Sequence, residues 1–190
     1  MMCWVMPAHK QSHLQLSNNT MKRILFVLLL TSSFFLKSEA QEEKYIGLFV
    51  YNFTKYFDWP ESAKQGDFII QVLGHNSVYD ELAKITSDKL VGTQKIRVES
   101  ITSPEQIKED VHILFLGHWQ TRHLSKTKTI IADKPVLLVT EFEGLLQKGS
   151  VINFVIREGS IKFELSKSNA EAQGLQTDMR LVQLAYSVVE

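Results

Sequence analysis

His118, Trp119, Arg122 and His123 fall within one run of six residues that follows Gly117. Imidazole, indole and guanidinium groups set this close together suit a planar or anionic ligand, or a partner surface, because cations attract anions and stack on aromatic rings. The alternative is an ordinary solvated loop. The spacing does not favour a metal. His118 and His123 are five apart, whereas two imidazoles reach one ion from one helix face at a spacing of four. His112 lies inside the apolar run Val111–Leu116 and is expected to be a hydrogen-bonded core histidine. Asp58 with Glu61, and Glu141 with Glu143, are paired carboxylates best explained by solvation. There is no G-x-S-x-G elbow and no glycine-rich phosphate loop. The single cysteine, Cys3, stands ahead of the apolar leader. No catalytic residue, metal or cofactor is expected.

The elements that must position this segment are legible from periodicity. Lys44 to Pro60 carries Ile46, Phe49, Val50, Phe53 and Phe57 at intervals of three and four, which predicts an aromatic-loaded helix stopped at Trp59 by Pro60. Apolar runs at Phe68–Leu73, Val111–Leu116 and Val136–Val139 predict buried strands. Lys95–Glu99 alternates and predicts a half-exposed or edge strand. Helices are expected over about 78–85 with a Ser77/Asp80 capping box, from Ser103-Pro104, and over about 122–132. Alternation of strand and helix predicts an α/β fold: a mixed, largely parallel sheet with helices on both faces. Ser150–Ile156 and Ile161–Leu165 flank Glu158-Gly159 and predict a C-terminal antiparallel hairpin. After it come a short helix capped by Ser168 and a last amphipathic helix from Asp178 through Val188. In open α/β sheets ligands sit beyond the carboxyl ends of the strands. Here those ends are Gly74-His75, the His118–His123 segment and Glu141.

Met21-Lys22-Arg23, the apolar residues 24–36 and the small-x-small triplet Ser38-Glu39-Ala40 predict a cleavable signal peptide over 21–40, with Gln41 the first mature residue. Residues 1–20 are polar and patternless, as an upstream extension would be, with Met1 and Met21 both open as the start. The mature part, 41–190, is expected to be one domain in the periplasm. It carries 17 Lys and Arg against 20 Asp and Glu, about −3, which argues against nucleic acid as a partner. Asn52-Phe53-Thr54 matches a glycosylation sequon but is embedded in the aromatic helix and is discounted.

The order of segments resembles the YfiR family of periplasmic regulators. The resemblance is carried by KYIGLFVYNFTKYFDWP from Lys44, FIIQVLG from Phe68, VHILFLG from Val111, PVLLVTEFEGLLQKGSVINFVIREGSIKFELS from Pro135 and NAEAQGLQTDMRLVQLA from Asn169. It implies an α/β domain that binds the periplasmic portion of an inner-membrane diguanylate cyclase and holds it inactive, so that cyclic di-GMP output and biofilm formation respond to envelope conditions. Several relatives carry a cysteine just before the HILF strand, where this chain has Val111, so redox control through a disulfide is not expected. Where relatives often start the last helix with Ser-Ser, this chain has Thr177-Asp178. Arg180 nearby is an anion contact by charge alone.

Two functional readings follow. In the first, the chain is a non-enzymatic regulator acting by protein contact, with Tyr56 and Trp59 as contact residues, since Tyr and Trp anchor interfaces disproportionately. In the second, it is a small-molecule sensor feeding a sensor kinase, with His118, Trp119, Arg122, His123 and Arg180 as polar and aromatic contacts for a nucleotide or aromatic metabolite. An exported hydrolase is disfavoured because nucleophile, base and oxyanion signals are all missing. A homodimer stays open.

Overall fold

The computed structural model describes residue 22 and residues 41–190; the expected signal peptide and upstream extension lie outside the described residues, Lys22 apart. Helix α1 occupies residues 41–53. Its buried side is Ile46, Val50 and Phe53, at the anticipated spacing, while Tyr45 and Leu48 point outward. Gly47 lets α1 approach its neighbour closely, since a β-carbon there would sit 3.3 Å from Cβ of Glu81.

The helix ends six residues earlier than Trp59. Thr54, Lys55 and Tyr56 donate to carbonyls three residues back, and the Thr54 hydroxyl donates to Tyr51 O at 2.7 Å, so the last turn tightens and unwinds. Phe57 then enters a two-residue strand, β1 (Phe57–Asp58). Its antiparallel partner is β9 (Gln176–Thr177), and Asp178 N donates to Tyr56 O at 2.8 Å. Phe57 is buried on either path, so periodicity alone does not separate a helix from a strand here.

The main sheet contains β2 (Phe68–Leu73), β3 (Leu90–Val91), β4 (Gln94–Ile101), β5 (Val111–Leu116), β6 (Leu137–Thr140), β7 (Ile152–Arg157), β8 (Ser160–Ser166) and β10 (Ser187–Val189). Their order is β10-β8-β7-β6-β5-β2-β4-β3. All neighbouring pairs are parallel except β7–β8 and β3–β4. This is the mixed, largely parallel α/β sheet with a C-terminal hairpin that the alternation implied. β2 and β5 are buried along their whole length, as continuous apolar runs require. β4 lies between β2 and the short β3, with five of its eight residues facing out or half out and strict alternation over its first four. At the hairpin, Glu158 (φ 53°) and Gly159 (φ 70°) are both left-handed, the geometry of a two-residue type I′ turn between the paired Arg157 and Ser160.

One face of the sheet is covered by α1, α2 (Asn76–Thr86), α4 (Lys167–Ala172) and α5 (Met179–Leu184), through Val50, Phe53, Val78, Leu82, Ala170 and Leu181 against Phe68, Ile70, Phe115, Phe154 and Phe163. The other face packs Ile69, Leu73, Leu114, Leu116 and Leu138 under Leu124 and Ile131 at the ends of α3 (Leu124–Ile130) and under Leu145.

Several boundaries differ from the sequence expectation. His75, not Ser77, caps α2, its Nδ1 accepting from Val78 N at 3.5 Å. The Ser103-Pro104 start yields only a 3-10 turn, Pro104–Gln106, whose Gln106 side chain accepts from the amides of Thr102 and Ser103. Residues His118–His123 also form a 3-10 segment, so α3 begins at Leu124. Ser166 rather than Ser168 caps α4, accepting from Asn169 N at 3.2 Å. Asp178 does cap α5, but that helix stops at Leu184 because Ala185 turns extended (ψ 141°) and the chain end joins the sheet as β10 beside β8.

His112 is a satisfied core histidine. Its Nδ1 accepts from Ile69 N at 3.1 Å and its Nε2 lies 2.7 Å from Ala63 O, so the proton sits on Nε2 and the ring is clamped between two backbone segments. The imidazole stacks on Phe68 at 4.4 Å between centroids. His112→Phe, which keeps the ring but orphans both backbone groups, is expected to lower stability by about 1–3 kcal/mol in urea denaturation. An unchanged midpoint would show that the two hydrogen bonds contribute nothing net.

Candidate functional site

Strands β2, β5 and β6 all run parallel, so their carboxyl ends emerge side by side. Gly74 (φ 70°) ends β2 in a conformation that ordinary side chains rarely adopt, and a β-carbon there would fall 2.3 Å from Cγ of Gln120, which lies over it. Gly117 ends β5, its amide donating to Leu73 O at 3.0 Å. Beyond β6 comes Glu141, fixed because the next amide, Phe142 N, donates to Oδ1 of the buried Asn153 at 3.0 Å. Asn153 is itself held by the Thr140 hydroxyl at 2.8 Å and by Glu164. The INFV segment of the hairpin therefore positions the loop that carries Glu141 and Phe142.

Three of the expected strand-end residues meet here. Oε1 of Glu141 accepts from His118 N at 2.5 Å and lies 3.6 Å from Nε2 of His75. His118 stands edge-on to Phe142 and to Trp119, with centroids 5.0 Å apart in each case. Burial pushes the Glu141 carboxyl up to about 7, opposed by the His118 amide and reinforced by Glu43 on α1. Burial likewise lowers the pKa of His75, partly offset by the negative charge of Glu43. Both groups are driven toward neutrality, so their approach is a contact between a carboxylic acid and an imidazole rather than a firm ion pair. Among the described residues no group of three or more His, Cys, Asp or Glu is placed to hold a metal.

Trp119 projects from this corner with 79% of its surface exposed. Arg122 donates to Nε2 of His123 at 3.1 Å and lines an open groove of about 930 Å³ between α3 and the 142–148 segment. Arg180 belongs elsewhere. It forms a bidentate pair with Asp178 and lies over the Tyr56 ring at 5.6 Å, so its charge is already neutralised. The grouping of Arg180 with the His118–His123 segment therefore finds no contact to support it. Trp59 is also not the exposed contact residue expected: it is 4% exposed and packs edge-on against Phe68 at 4.9 Å. Pro60 turns the chain so that Trp59 falls inward, against Phe57, Phe68 and His112, instead of continuing a helix face. Tyr56 is half-buried beneath Arg180.

Comparison with known families gives a match to the YfiR/HmsC-like family model over residues 44–186. The chain belongs to the YfiR/HmsC-like family. Membership implies a periplasmic regulator of diguanylate-cyclase signalling, in a family of non-catalytic regulators. No curated protein matches the chain. The matched span of this YfiR/HmsC-like protein covers every strand and helix from the aromatic helix to α5. No helix among the described residues is long and apolar enough to cross a membrane.

Sequence reasoning named Glu141 as a strand end but read it as solvated, and it passed over Phe142, Lys128 and Lys148. The signal for Lys128 was present: Arg122, Ser125 and Lys128 or Thr129 recur at helical spacing on one face. Lys148 and Phe142 reach the same groove only through the fold, from the far side of β6.

Proposed function

We propose that the chain is a periplasmic signalling regulator that binds the periplasmic part of an inner-membrane diguanylate cyclase and restrains it, lowering cyclic di-GMP output. The family match across the folded domain carries this reading. The strand-end site is compatible with it: a carboxyl and an imidazole 3.6 Å apart lie near an exposed indole that offers a contact for a partner. A regulator acts by differential affinity for two states of its target, and the shift it produces cannot exceed that difference. Trp119 is the contact residue we assign in place of Trp59, because a rigid, exposed aromatic gains most from desolvation at an interface.

Deleting the gene is expected to raise cellular cyclic di-GMP, and wild-type protein to restore it. Trp119→Ala should fold normally yet bind the cyclase's periplasmic domain roughly thirtyfold more weakly, as loss of a central interface aromatic does. Cyclic di-GMP unchanged on deletion would overturn the reading. Retention of the protein in the cytosol with its leader intact would do so as well.

A further inference from the structure

We infer that the groove between α3 and the segment after β6 is a binding site for a small aromatic phosphate monoester. The inference does not depend on which membrane protein the chain contacts, since it concerns the isolated chain. One wall is the helical face bearing Arg122, Ser125 and Lys128; the other is Phe142, Leu145 and Lys148. The mature part carries net negative charge by composition, yet no carboxylate lines this groove. Neighbouring cations on the same surface are paired: Lys126 with Glu105 and Lys134 with Glu109. Arg122, Lys128 and Lys148 form no ion pair among the described residues; cations gathered without a counter-charge repel one another unless an anion joins them.

Lys128 is seated, not free. Its tip lies over Gly149 (φ 103°), where a β-carbon would come within 2.5 Å of Nζ and Cε. Gly149 thus leaves the space that lays the ammonium along the groove. The Ser125 hydroxyl adds a donor on the same wall, for it makes no side-chain hydrogen bond among the described residues. Phe142 and Leu145 supply an apolar surface beside the charges, and Phe142 is 46% exposed while braced edge-on by His118. Three cations and a hydroxyl match a dianionic phosphate, with an exposed ring alongside for a flat apolar portion.

Isothermal titration calorimetry of the purified exported chain at low ionic strength tests this with phenyl phosphate and with inorganic phosphate. One site is expected, tighter for phenyl phosphate than for inorganic phosphate. Arg122→Ala and Lys148→Ala should each weaken binding roughly tenfold or more, as loss of a charge-assisted contact does. Phe142→Ala should erase the preference for phenyl phosphate, and Lys126→Ala on the paired side should change nothing. These positions are exposed, so equal melting temperatures should show that each variant folds. No binding of phenyl phosphate at millimolar concentration, or binding unaltered in both Arg122→Ala and Lys148→Ala, would overturn the inference.

Discussion

Phe53→Ala is expected to destabilise the domain by roughly 3–5 kcal/mol, the usual cost of deleting a buried aromatic side chain. Phe53 is 1% exposed and sits at the centre of a ring cluster. Its centroid lies 5.4 Å from Phe163 and 6.0 Å from Phe154 on the hairpin, 6.4 Å from Phe49 on its own helix, and 6.5 Å from Phe57 in β1. These partners come from three separate parts of the chain, so the space left by Phe53 has rigid walls on each side and collapses poorly. Edge-to-face pairs add about 0.5–1.5 kcal/mol beyond area burial. A domain of this size has only about 5–15 kcal/mol in total. Phe53→Ala should therefore shift the urea midpoint strongly at constant slope, whereas Leu48→Ala, on the exposed side of the same helix, should stay within about 0.5 kcal/mol. A loss below about 1 kcal/mol for Phe53→Ala would mean that α1 is not packed on the hairpin as described.

The same cluster shows what sequence can disclose and what it cannot. Phe53 and Val50 announce their burial through spacing, and the runs at Phe68 and Val111 match β2 and β5 residue for residue, because a strand buried on both faces has no polar interruption to misread. The end of α1 and the fate of Val188 were not legible, because each is decided by a partner distant in sequence. β1 exists only because Gln176–Thr177 lies beside it, and β10 only because β8 offers an edge. Caps erred for a related reason: His75 and Ser166 outcompete Ser77 and Ser168 through where the preceding strand releases the chain. Trp59 illustrates the limit for function. A Trp-Pro after an aromatic stripe says that the residue is special, but only the fold shows that it faces the core. At the candidate site, the strand-end rule located Gly74-His75, His118 and Glu141 together, while the burial of Glu141 and the nearby charge of Glu43 on α1 arise only from the fold.

That burial yields the second large effect, a stability that falls as pH rises. The Glu141 carboxyl has its folded-state value pushed up to about 7 from an ordinary 4.5, chiefly by desolvation. An acid raised in this way holds its proton in the native state while the unfolded chain has already released it. Its contribution is therefore complete below pH 4.5 and is lost progressively up to pH 7, with a total of roughly 3 kcal/mol from the width of that interval. Ionisation is not purely costly, since the carboxylate accepts more strongly from His118 N at 2.5 Å, but Glu43 opposes the second negative charge and desolvation prevails. His75 acts in the opposite direction: with its pKa lowered, it removes stability as pH falls below 6.5, so the wild-type profile alone mixes two titrations. Glu141→Gln separates them. The amide oxygen still accepts from His118, no charge is buried, and His75 is common to both proteins. Glu141→Gln is thus expected to exceed wild type by roughly 2–3 kcal/mol at pH 8, with the gap closing toward pH 5, in urea unfolding across that range. A gap that stays constant with pH would show that Glu141 titrates as an ordinary surface carboxylate, and the acid–imidazole contact at the strand ends would then have to be replaced by a simple ion pair.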